Sequence, residues 1–475
     1  PALYNLTEAQ KKQVSNYKRL TDAEEALENL GKTAFYEDAL NKVLAYVQKE
    51  APNPSYENGN SNGTEWAVMS VARGNVNATV WYDTYLSNTA AAVAACAFAA
   101  CDRTSPSQAR NLERAKATLD SVYASYGVAD RCLLRENYPF NADYKAGYLA
   151  SEDQARPNPY SYLWPFSGTL SAVNTILEED ASYRSVLDGR VLPGLAEYLD
   201  TTRMPAAYAS YINTAPASDR FYDDNVWLGI DFCDIYEATG DKKYLAQAEM
   251  IWKFIESGTD DVLGGGIYWC EQKKHSKNTC SNAPGTVYAL KLYAATGDGR
   301  YLEQGKGLYA WTKEHLLDTG DGLYFDNVSL DGNIGRAKFA YNSGQMVQAG
   351  ALLYKATGDE SYLKDAQRTA AACYDYFFEE FTPADGEAFR IIRKGNVWFS
   401  AVMVRGLVEL YGIDGNAAYV DAVQRSLDYA WDHARDGRGL FETDFTGADK
   451  QAEKWLLTQG AMAEMYGRMS GVGLK

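Results

Sequence analysis

The phrases YEATGDKKYL (Tyr236–Leu245), YAATGDGRYL (Tyr293–Leu302) and YKATGDESYL (Tyr354–Leu363) recur along the chain, with a weaker copy, YGIDGNAAYV, at Tyr411–Val420. In each copy a glycine can adopt the left-handed conformation that ends a helix, and the following residue can cap a new helix. The copies lie about 60 residues apart, the length of one helical hairpin plus a loop. A phosphate-binding loop would need more glycine and a lysine. The repeat therefore predicts a structural joint.

Hydrophobic periodicity and helix-breaking residues along the rest of the chain predict twelve helices in all. They fall at 108–127, 159–179, 186–200, 222–239, 242–257, 281–296, 299–316, 341–356, 360–380, 397–411, 416–433 and 450–470. Short turns join helices within a hairpin, and longer loops join successive hairpins at 201–221, 258–280, 317–340, 381–396 and 434–449. Six hairpins closing on themselves predict an all-α fold, an (α/α)6 barrel over 105–475. The long loops would then share one face, and loops of this length are usually functional.

The composition narrows the classes of ligand. A formal net charge of −17 over 475 residues argues against nucleic acid or an anionic membrane surface as the partner. No stretch approaches the roughly 20 apolar residues of a transmembrane helix. Only three histidines occur and the seven cysteines form no CxxC pair, so we expect neither a metal site nor a cofactor. Cys270 and Cys280 either bridge one loop or remain free thiols. The 36 tyrosines and 10 tryptophans suit stacking against sugar rings.

Polar and aromatic residues recur where the helices leave the long loops. The candidate sugar-binding residues of this kind are Trp164, Tyr222, Asn225, Asn282, Tyr341, Asn342, Gln345 and Asn396. Amides supply paired hydrogen bonds and aromatic rings supply flat apolar faces, which together suit a polyhydroxylated ligand. The alternative is that Ser281, Asn342 and Asn396 serve only as helix caps.

Two adjacent carboxylates stand out in the stretch FYDDNVWLG (Phe221–Gly229). Asp223 and Asp224 at a helix start point about 100° apart, so they can approach one bond from different sides. Like charges this close raise one pKa, while the helix N-terminus favours the anion on the other. A glycosidase needs this combination of a protonated and an ionised carboxyl group. The alternative is a helix cap beside a solvated aspartate. A second pair, Asp260–Asp261, lies on the same face and is more typical of a turn.

Several longer runs resemble glycoside hydrolase family 76. They are YDDNVWLGIDFCDIYEATGD from Tyr222, SGTDDVLGGGIYW from Ser257, KNTCSNAPGTVYALKLYAATGD from Lys277 and AYNSGQMVQAGALLYKATGD from Ala340. The resemblance covers about 105–475 and implies an (α/α)6 barrel with endo-α-1,6-mannanase activity. It implies a retaining mechanism with Asp223 as nucleophile and Asp224 as acid/base. It also implies that Tyr268 and Trp269 contact an α-mannan substrate, although Tyr268 stands where this family commonly has tryptophan.

The same residues are also compatible with functions other than mannan hydrolysis. A transglycosidase would share every residue and differ only in whether water or a sugar hydroxyl resolves the intermediate. A non-catalytic glycan-binding barrel would keep the aromatics but would not need Asp223 and Asp224. A sugar epimerase built on this barrel would use histidines, and none of the three lies at a predicted inner-helix start.

The N-terminal part precedes the barrel. Residues 1–88 read as an added helical module or spacer, and EWAVMSVARG within them weakly resembles terpenoid-cyclase-like modules of surface proteins. Residues 89–104 form a linker in which Ala90–Cys101 reads either as a buried helix or as the remnant of a lipoprotein signal. We therefore expect an extracytoplasmic monomer with an oligo- or polysaccharide substrate and no transmembrane segment.

Overall fold

A computed structural model describes residues 106–150, 157–384 and 386–473. Within it, Arg110–Lys475 form one compact unit. The expected N-terminal module (1–88) and the linker (89–104) lie outside the described residues, so both stay predictions. None of the helices in the described ranges combines the length and the apolarity that crossing a membrane requires.

Twelve helical segments form the frame of the described chain. They are α1 Pro106–Tyr126, α2 Leu163–Glu179, an irregular α3 spanning 181–196, α4 Tyr222–Thr239, α5 Lys242–Ser257, α6 Thr279–Thr296, α7 Gly299–Leu316, α8 Ala340–Thr357, α9 Glu360–Phe377, α10 Val397–Asp414, α11 Ala418–His433 and α12 Leu456–Ser470. Short strands lie in the loops: β1 Asn137–Tyr138, β2 Leu199–Asp200, β3 Ala207–Tyr208, β4 Ser276–Asn278, β5 Phe325–Ser329, β6 Ile334–Lys338, β7 Phe378–Phe381, β8 Phe389–Ile392 and β9 Lys454–Trp455.

The even-numbered helices form a closed inner ring. Each packs against the next in the order α2, α4, α6, α8, α10, α12, and α12 returns to α2. The inner helices are buried on most sides, as in α6, whereas an outer helix such as α5 buries one face. Gly344 and Gly406 let α8 and α10 approach closely, because a Cβ on Gly406 would strike the carbonyl oxygen of Gly344. The predicted (α/α)6 barrel is confirmed.

The two ends of the described chain close the barrel. The first outer helix, α1, packs beside the last inner helix, α12, and beside α11. Asn111 of α1 donates to Gln424 of α11 at 2.7 Å and to the Met469 carbonyl of α12 at 3.4 Å. The Tyr126 hydroxyl donates to the Lys454 carbonyl at 2.9 Å. The sixth helix pair is therefore made by residues more than 300 positions apart.

The repeated phrase is a helix–helix joint, as predicted. Gly240, Gly297, Gly358 and Gly415 end the inner helices with φ between 66° and 73°. Asp241, Asp298 and Asp359, which follow the first three of these glycines, cap the outer helices by accepting from backbone N–H groups, for example Asp298 from Arg300 at 3.0 Å. Gly240 lies 17 residues along α4 from Asp223, about 25 Å at the helical rise. These joints therefore occupy the barrel end remote from the two aspartates.

Five of the predicted helices have a boundary that differs from the structure by three residues or more. The helix predicted at 159–179 starts at Leu163, and the helix predicted at 397–411 ends at Asp414. The helix predicted at 186–200 is the irregular α3, which includes a π-helical turn at Leu187–Val191 and ends at Ala196. Pro193 lacks an N–H donor, and Gly194 lies against the Cys132 carbonyl with no room for a Cβ. The helix predicted at 450–470 starts only at Leu456, because β9 pairs with β1. The helix predicted at 360–380 ends at Phe377, because β7 pairs with β8.

Candidate active site

The starts of the inner helices meet at one cleft of about 180 Å³ on the long-loop face. It is lined by Tyr148, Leu149, Tyr162, Trp164, Ser210, Phe221, Asp223, Asp224, Trp227, Trp269, Tyr341, Trp398 and Phe399. Helices α2, α4, α8 and α10 each supply lining residues. Of the residues predicted from sequence, five line this cleft: Trp164, Asp223, Asp224, Trp269 and Tyr341.

Asp223 is held by three hydrogen-bond donors from different parts of the chain. Its Oδ1 accepts from the Asp224 backbone N–H at 2.9 Å. Its Oδ2 accepts from the Trp269 indole Nε1–H at 3.0 Å and from the Cys280 thiol at 3.3 Å. Burial raises the pKa of Asp223, to about 6, and these hydrogen bonds limit the rise because they favour the ionised form.

Asp224 has the opposite environment although it is the next residue. Among the described residues, no hydrogen-bond donor contacts its carboxyl group. Burial raises the pKa of Asp224 well above its usual value, and the negative charge of Asp223 raises it further. The pair thus combines a hydrogen-bonded carboxylate with a neighbour that retains its proton, which is the arrangement expected for paired acid/base chemistry.

Aromatic side chains form the walls of the cleft. The Trp164 ring lies edge-on to Trp398 at 5.5 Å and to Tyr148 at 5.1 Å. Tyr341 stacks on Phe399 with ring centroids 4.0 Å apart and planes 9° apart. No lysine or arginine is among the described residues that line the cleft. Apolar ring faces beside two carboxyl groups suit a neutral sugar chain.

Glu136 supports one wall of the cleft, and sequence reasoning missed it. Its carboxylate accepts from the Tyr148 hydroxyl at 2.7 Å, the Trp455 indole at 2.8 Å and the Tyr162 backbone N–H at 2.9 Å. It thereby joins the loop after α1, the start of α2 and strand β9. Burial raises the pKa of Glu136, and these three donors oppose that rise.

A third carboxyl group, Asp326 on β5, lies near Cys280, which donates to Asp223, and was not predicted. Burial raises the pKa of Asp326, and its charge in turn raises the pKa of the Cys280 thiol. Its Oδ1 accepts from the Asn342 side-chain amide at 3.4 Å. No repeat or local motif marks Asp326 in the sequence, because it lies within the long loop between α7 and α8. Trp227 stands within the quoted stretch FYDDNVWLG but was not singled out, and no motif marks Tyr148, Leu149 or Phe399.

Most of the predicted amides hold loops in place and do not line the cleft. Asn225 forms a pair of hydrogen bonds with the backbone of Tyr208, at 2.8 and 2.9 Å. Asn282 does the same with Ile267, at 2.6 and 2.9 Å. Their recurrence at inner-helix starts reflects this shared anchoring, in which a side-chain amide satisfies both backbone groups of a loop residue.

The remaining predicted residues also lie away from the lining. Asn396 caps α10 by accepting from the Trp398 and Phe399 N–H groups, as the helix-cap alternative predicted. Gln345 is buried and donates to Gln348 at 2.8 Å. Asn342 is buried in the first turn of α8 and donates to Asp326 at 3.4 Å.

Tyr222 and Tyr268 point away from the cleft. The Tyr222 ring stacks on Phe254 at 4.6 Å, beneath α5. The Tyr268 hydroxyl donates to Asp260 at 2.7 Å. Burial would raise the pKa of Asp260, but hydrogen bonds from Lys277 and Tyr268 outweigh it and hold that pKa below its usual range. Asp260 is therefore part of the loop scaffold, as its sequence context indicated.

The sequence left a disulfide between Cys270 and Cys280 open and predicted no metal site. Cys270 and Cys280 are both free, so the disulfide alternative is wrong. Over the described residues, no cluster of three His, Cys, Asp or Glu side chains could hold a metal ion.

Comparison with known proteins identifies a family that this chain matches. The model of glycosyl hydrolase family 76 matches residues 143–390. The structure is similar to a family 76 mannosidase from Bacteroides thetaiotaomicron VPI-5482, with 32% identity, a TM-score of 0.69 and coverage of 76% of this chain and 98% of that one. It is also similar to a family 76 α-mannanase from Bacteroides thetaiotaomicron, with 26% identity, a TM-score of 0.66 and coverage of 76% and 95%.

A third similar structure is the α-1,6-mannanase of Salegentibacter sp. HEL1_6, with 25% identity, a TM-score of 0.59 and coverage of 76% and 98%. An inactive variant of that enzyme, with two adjacent aspartates replaced by asparagine, was solved in complex with α-1,6-mannotriose. No curated protein matches this chain at a significant level.

Proposed function

Because this chain belongs to glycosyl hydrolase family 76, we propose that it cleaves α-1,6-linked mannan by double displacement, with Asp223 as nucleophile and Asp224 as acid/base. Family membership makes it a glycoside hydrolase acting on mannan. The observation that carries the finer assignment is the contrast between the neighbours. Asp223 receives three hydrogen bonds, whereas Asp224 receives none among the described residues.

In the first step, an Asp223 carboxylate oxygen attacks the anomeric carbon of a bound mannose. The bond to the glycosidic oxygen breaks, and Asp224 donates its proton to that leaving oxygen. In the second step, Asp224, now ionised, takes a proton from water as the water oxygen attacks the same carbon. The Asp223 ester bond breaks and the carboxylate is restored. Two inversions retain the α-configuration.

The chain geometry supports this order of events. Retaining enzymes hold their two carboxyl groups about 5–5.5 Å apart, and sequence neighbours with Cα atoms about 3.8 Å apart can meet that distance. The aromatic walls formed by Trp164, Tyr341 and Phe399 supply stacking faces for adjacent sugar rings. The α-1,6 linkage is supported by the Salegentibacter enzyme, whose inactive variant is altered at two adjacent aspartates.

We infer that the protein acts as a monomer. We place this action outside the cytoplasm, where cell-wall mannan is accessible.

The test is product analysis with linear mannotetraoses. We expect cleavage of the α-1,6-linked tetraose, and no comparable cleavage of the α-1,2- or α-1,3-linked ones. The anomeric proton signals of the first products, read by NMR before mutarotation, should be those of the α-anomer. A first product with β-configuration would reject double displacement. Longer oligosaccharides in place of free sugar would indicate the transglycosidase that shares these residues.

A further inference from the structure

The two donors on Oδ2 of Asp223 lie outside the hairpin that carries Asp223. Trp269 lies in the loop before α6, and Cys280 is the second residue of α6. Their distances to Oδ2 are 3.0 Å from the indole Nε1 and 3.3 Å from the thiol sulfur. Oδ1 accepts from the Asp224 backbone N–H, and no side chain among the described residues donates to it. The two oxygens of the nucleophile are therefore not equivalent.

Both donors are fixed by neighbouring groups. The Trp269 backbone carbonyl accepts from the Tyr222 N–H at 2.9 Å, and its ring packs on Phe221 with centroids 5.1 Å apart. Cys280 is 2% exposed, and its thiol is hydrogen-bonded to the Tyr341 side chain of α8. Neither donor can turn away without disturbing a second contact.

The surroundings offer Asp223 little other help in remaining ionised. Among the described residues, the titratable groups that interact with its charge are Asp224 on its own helix, Cys270 in the loop before α6, Cys280 on α6 and Tyr341 on α8. None of these is a cation, and no lysine or arginine is among the described residues that line the cleft. The hydrogen bonds to Asp223 and the N-terminus of α4, where Asp223 lies, therefore oppose protonation of the nucleophile.

We propose that Trp269 and Cys280 are positioning residues that together hold Oδ2 of Asp223, keeping the nucleophile ionised and leaving Oδ1 to attack the sugar. This rests on the proposed role of Asp223. The indole is the stronger donor of the two, and the thiol is a weak one whose geometry is set by Tyr341. A cysteine therefore has a function in this site without forming a disulfide or acting as a nucleophile.

The experiment compares Trp269→Phe, Cys280→Ala and Cys280→Ser through the pH dependence of kcat/KM on α-1,6-mannotetraose. Removing the indole N–H should shift the acidic limb of the kcat/KM profile to higher pH by about one unit. Removing the thiol should move it upward by about half a unit, because S–H is a weak donor. Serine donates more strongly, so Cys280→Ser should return the limb to the wild-type position or below it. Cys373→Ala, which removes a fully buried thiol on α9, is the matched control and should leave the limb in place.

A second readout separates this inference from the proposed function. The Asp223 carboxyl carbon can be titrated by ¹³C NMR without substrate and assigned by its loss in Asp223→Asn. The same upward shifts should appear there for Trp269→Phe and Cys280→Ala, even if the protein cleaved no mannan. An unmoved Asp223 titration in both variants would overturn the inference while leaving the hydrolase assignment intact. Equal shifts in Cys280→Ala and Cys373→Ala would assign the effect to lost packing and would also overturn it.

Discussion

The Trp269 indole donates a 3.0 Å hydrogen bond to Oδ2 of Asp223, joining two residues 46 positions apart. Trp269 lies in a long loop and Asp223 lies at the start of an inner helix, so the bond ties the cleft face to the barrel frame. Asp224 shares the helix but not the bond. The loop therefore gives these two identical side chains different hydrogen bonding.

Replacing each aspartate should give different kinetic defects. Asp223→Asn should abolish turnover of every substrate, because no covalent intermediate forms. Asp224→Asn should slow natural mannan about 10²- to 10⁴-fold, yet affect activated aryl mannosides far less, because their leaving groups need little protonation. Steady-state rates on both substrates, with and without azide, check this. Azide should rescue Asp224→Asn and give an α-mannosyl azide. Azide rescue of Asp223→Asn with a product of retained configuration would exchange the two roles, whereas an inverted product would support Asp223 as the nucleophile.

The pH dependence of kcat/KM should be bell-shaped. The nucleophile must be ionised, so activity should fall as pH drops through the raised pKa of Asp223, about 6. The acid must be protonated, so activity should also fall as pH rises through the pKa of Asp224, which burial and the Asp223 charge raise well above its usual value. The two limbs belong to the pair as a unit. In Asp224→Asn the alkaline limb should disappear on aryl mannosides, and its persistence there would contradict the assignment.

The paired aspartates should lower the stability of the fold at neutral pH. A carboxyl group whose folded-state pKa is raised binds its proton more tightly in the folded state, so the free energy of unfolding falls as pH rises from the unfolded pKa toward the folded one. Asp224→Asn should therefore raise Tm at pH 7, with a smaller gain at pH 4. Thermal unfolding at both values tests this. Asp261→Asn, at an exposed loop position, is the control and should change neither value. A lower Tm at pH 7 for Asp224→Asn would contradict the raised pKa.

The buried ion pair beneath the cleft should contribute far more to the stability of the fold than surface pairs do. Arg405 and Glu464 are 2% and 1% exposed in their side chains, and Arg405 lies 5.7 Å from the centroid of Trp227, which lines the cleft. Glu464→Gln leaves the guanidinium partly uncompensated and should destabilise the fold by about 3–5 kcal/mol. Lys364→Gln breaks an exposed pair on α9 and should cost at most about 1 kcal/mol. Denaturant unfolding compares them, and equal losses would refute the contrast.

The repeated joint should affect stability without affecting catalysis. Gly297 has φ +72°, so Gly297→Ala should destabilise the barrel by about 1 kcal/mol or more. Gly299, two residues later in the first turn of α7, has open space around it, and Gly299→Ala should be neutral or stabilising. Mannan cleavage by the folded variants should equal that of wild type. A selective loss of activity in Gly297→Ala would return the repeat to the candidate functional motifs.

Local chemistry was enough to predict the barrel. The glycine and capping aspartate of each joint act within a few residues, so Gly240 and Asp241 mark a helix end and a helix start in the sequence itself. The irregular α3 and the short strands depend on distant partners, such as Cys132 against Gly194 and β1 against β9. No local pattern encodes those contacts.

The site was predictable only in part, for the same reason. Asp223 and Asp224 stood out because they are adjacent and begin a helix. The amides Asn225 and Asn282 occupy equivalent positions for a structural reason, namely paired hydrogen bonds to loop backbone, which a sequence pattern cannot separate from sugar binding. Glu136, Tyr148 and Asp326 reach the cleft from long loops whose course is set by the folded barrel.

The most direct test of the central claim is to trap the covalent intermediate. A slowly hydrolysed fluorinated mannosyl donor with a good leaving group should label the wild-type enzyme with one mannosyl unit. Peptide mass spectrometry should then place that unit on the fragment containing Tyr222–Asp224, at Asp223, and Asp223→Asn should remain unlabelled. Label on Asp224, on Asp326 or on Cys280 would contradict the account. So would complete turnover of the donor with inverted product and no labelled peptide.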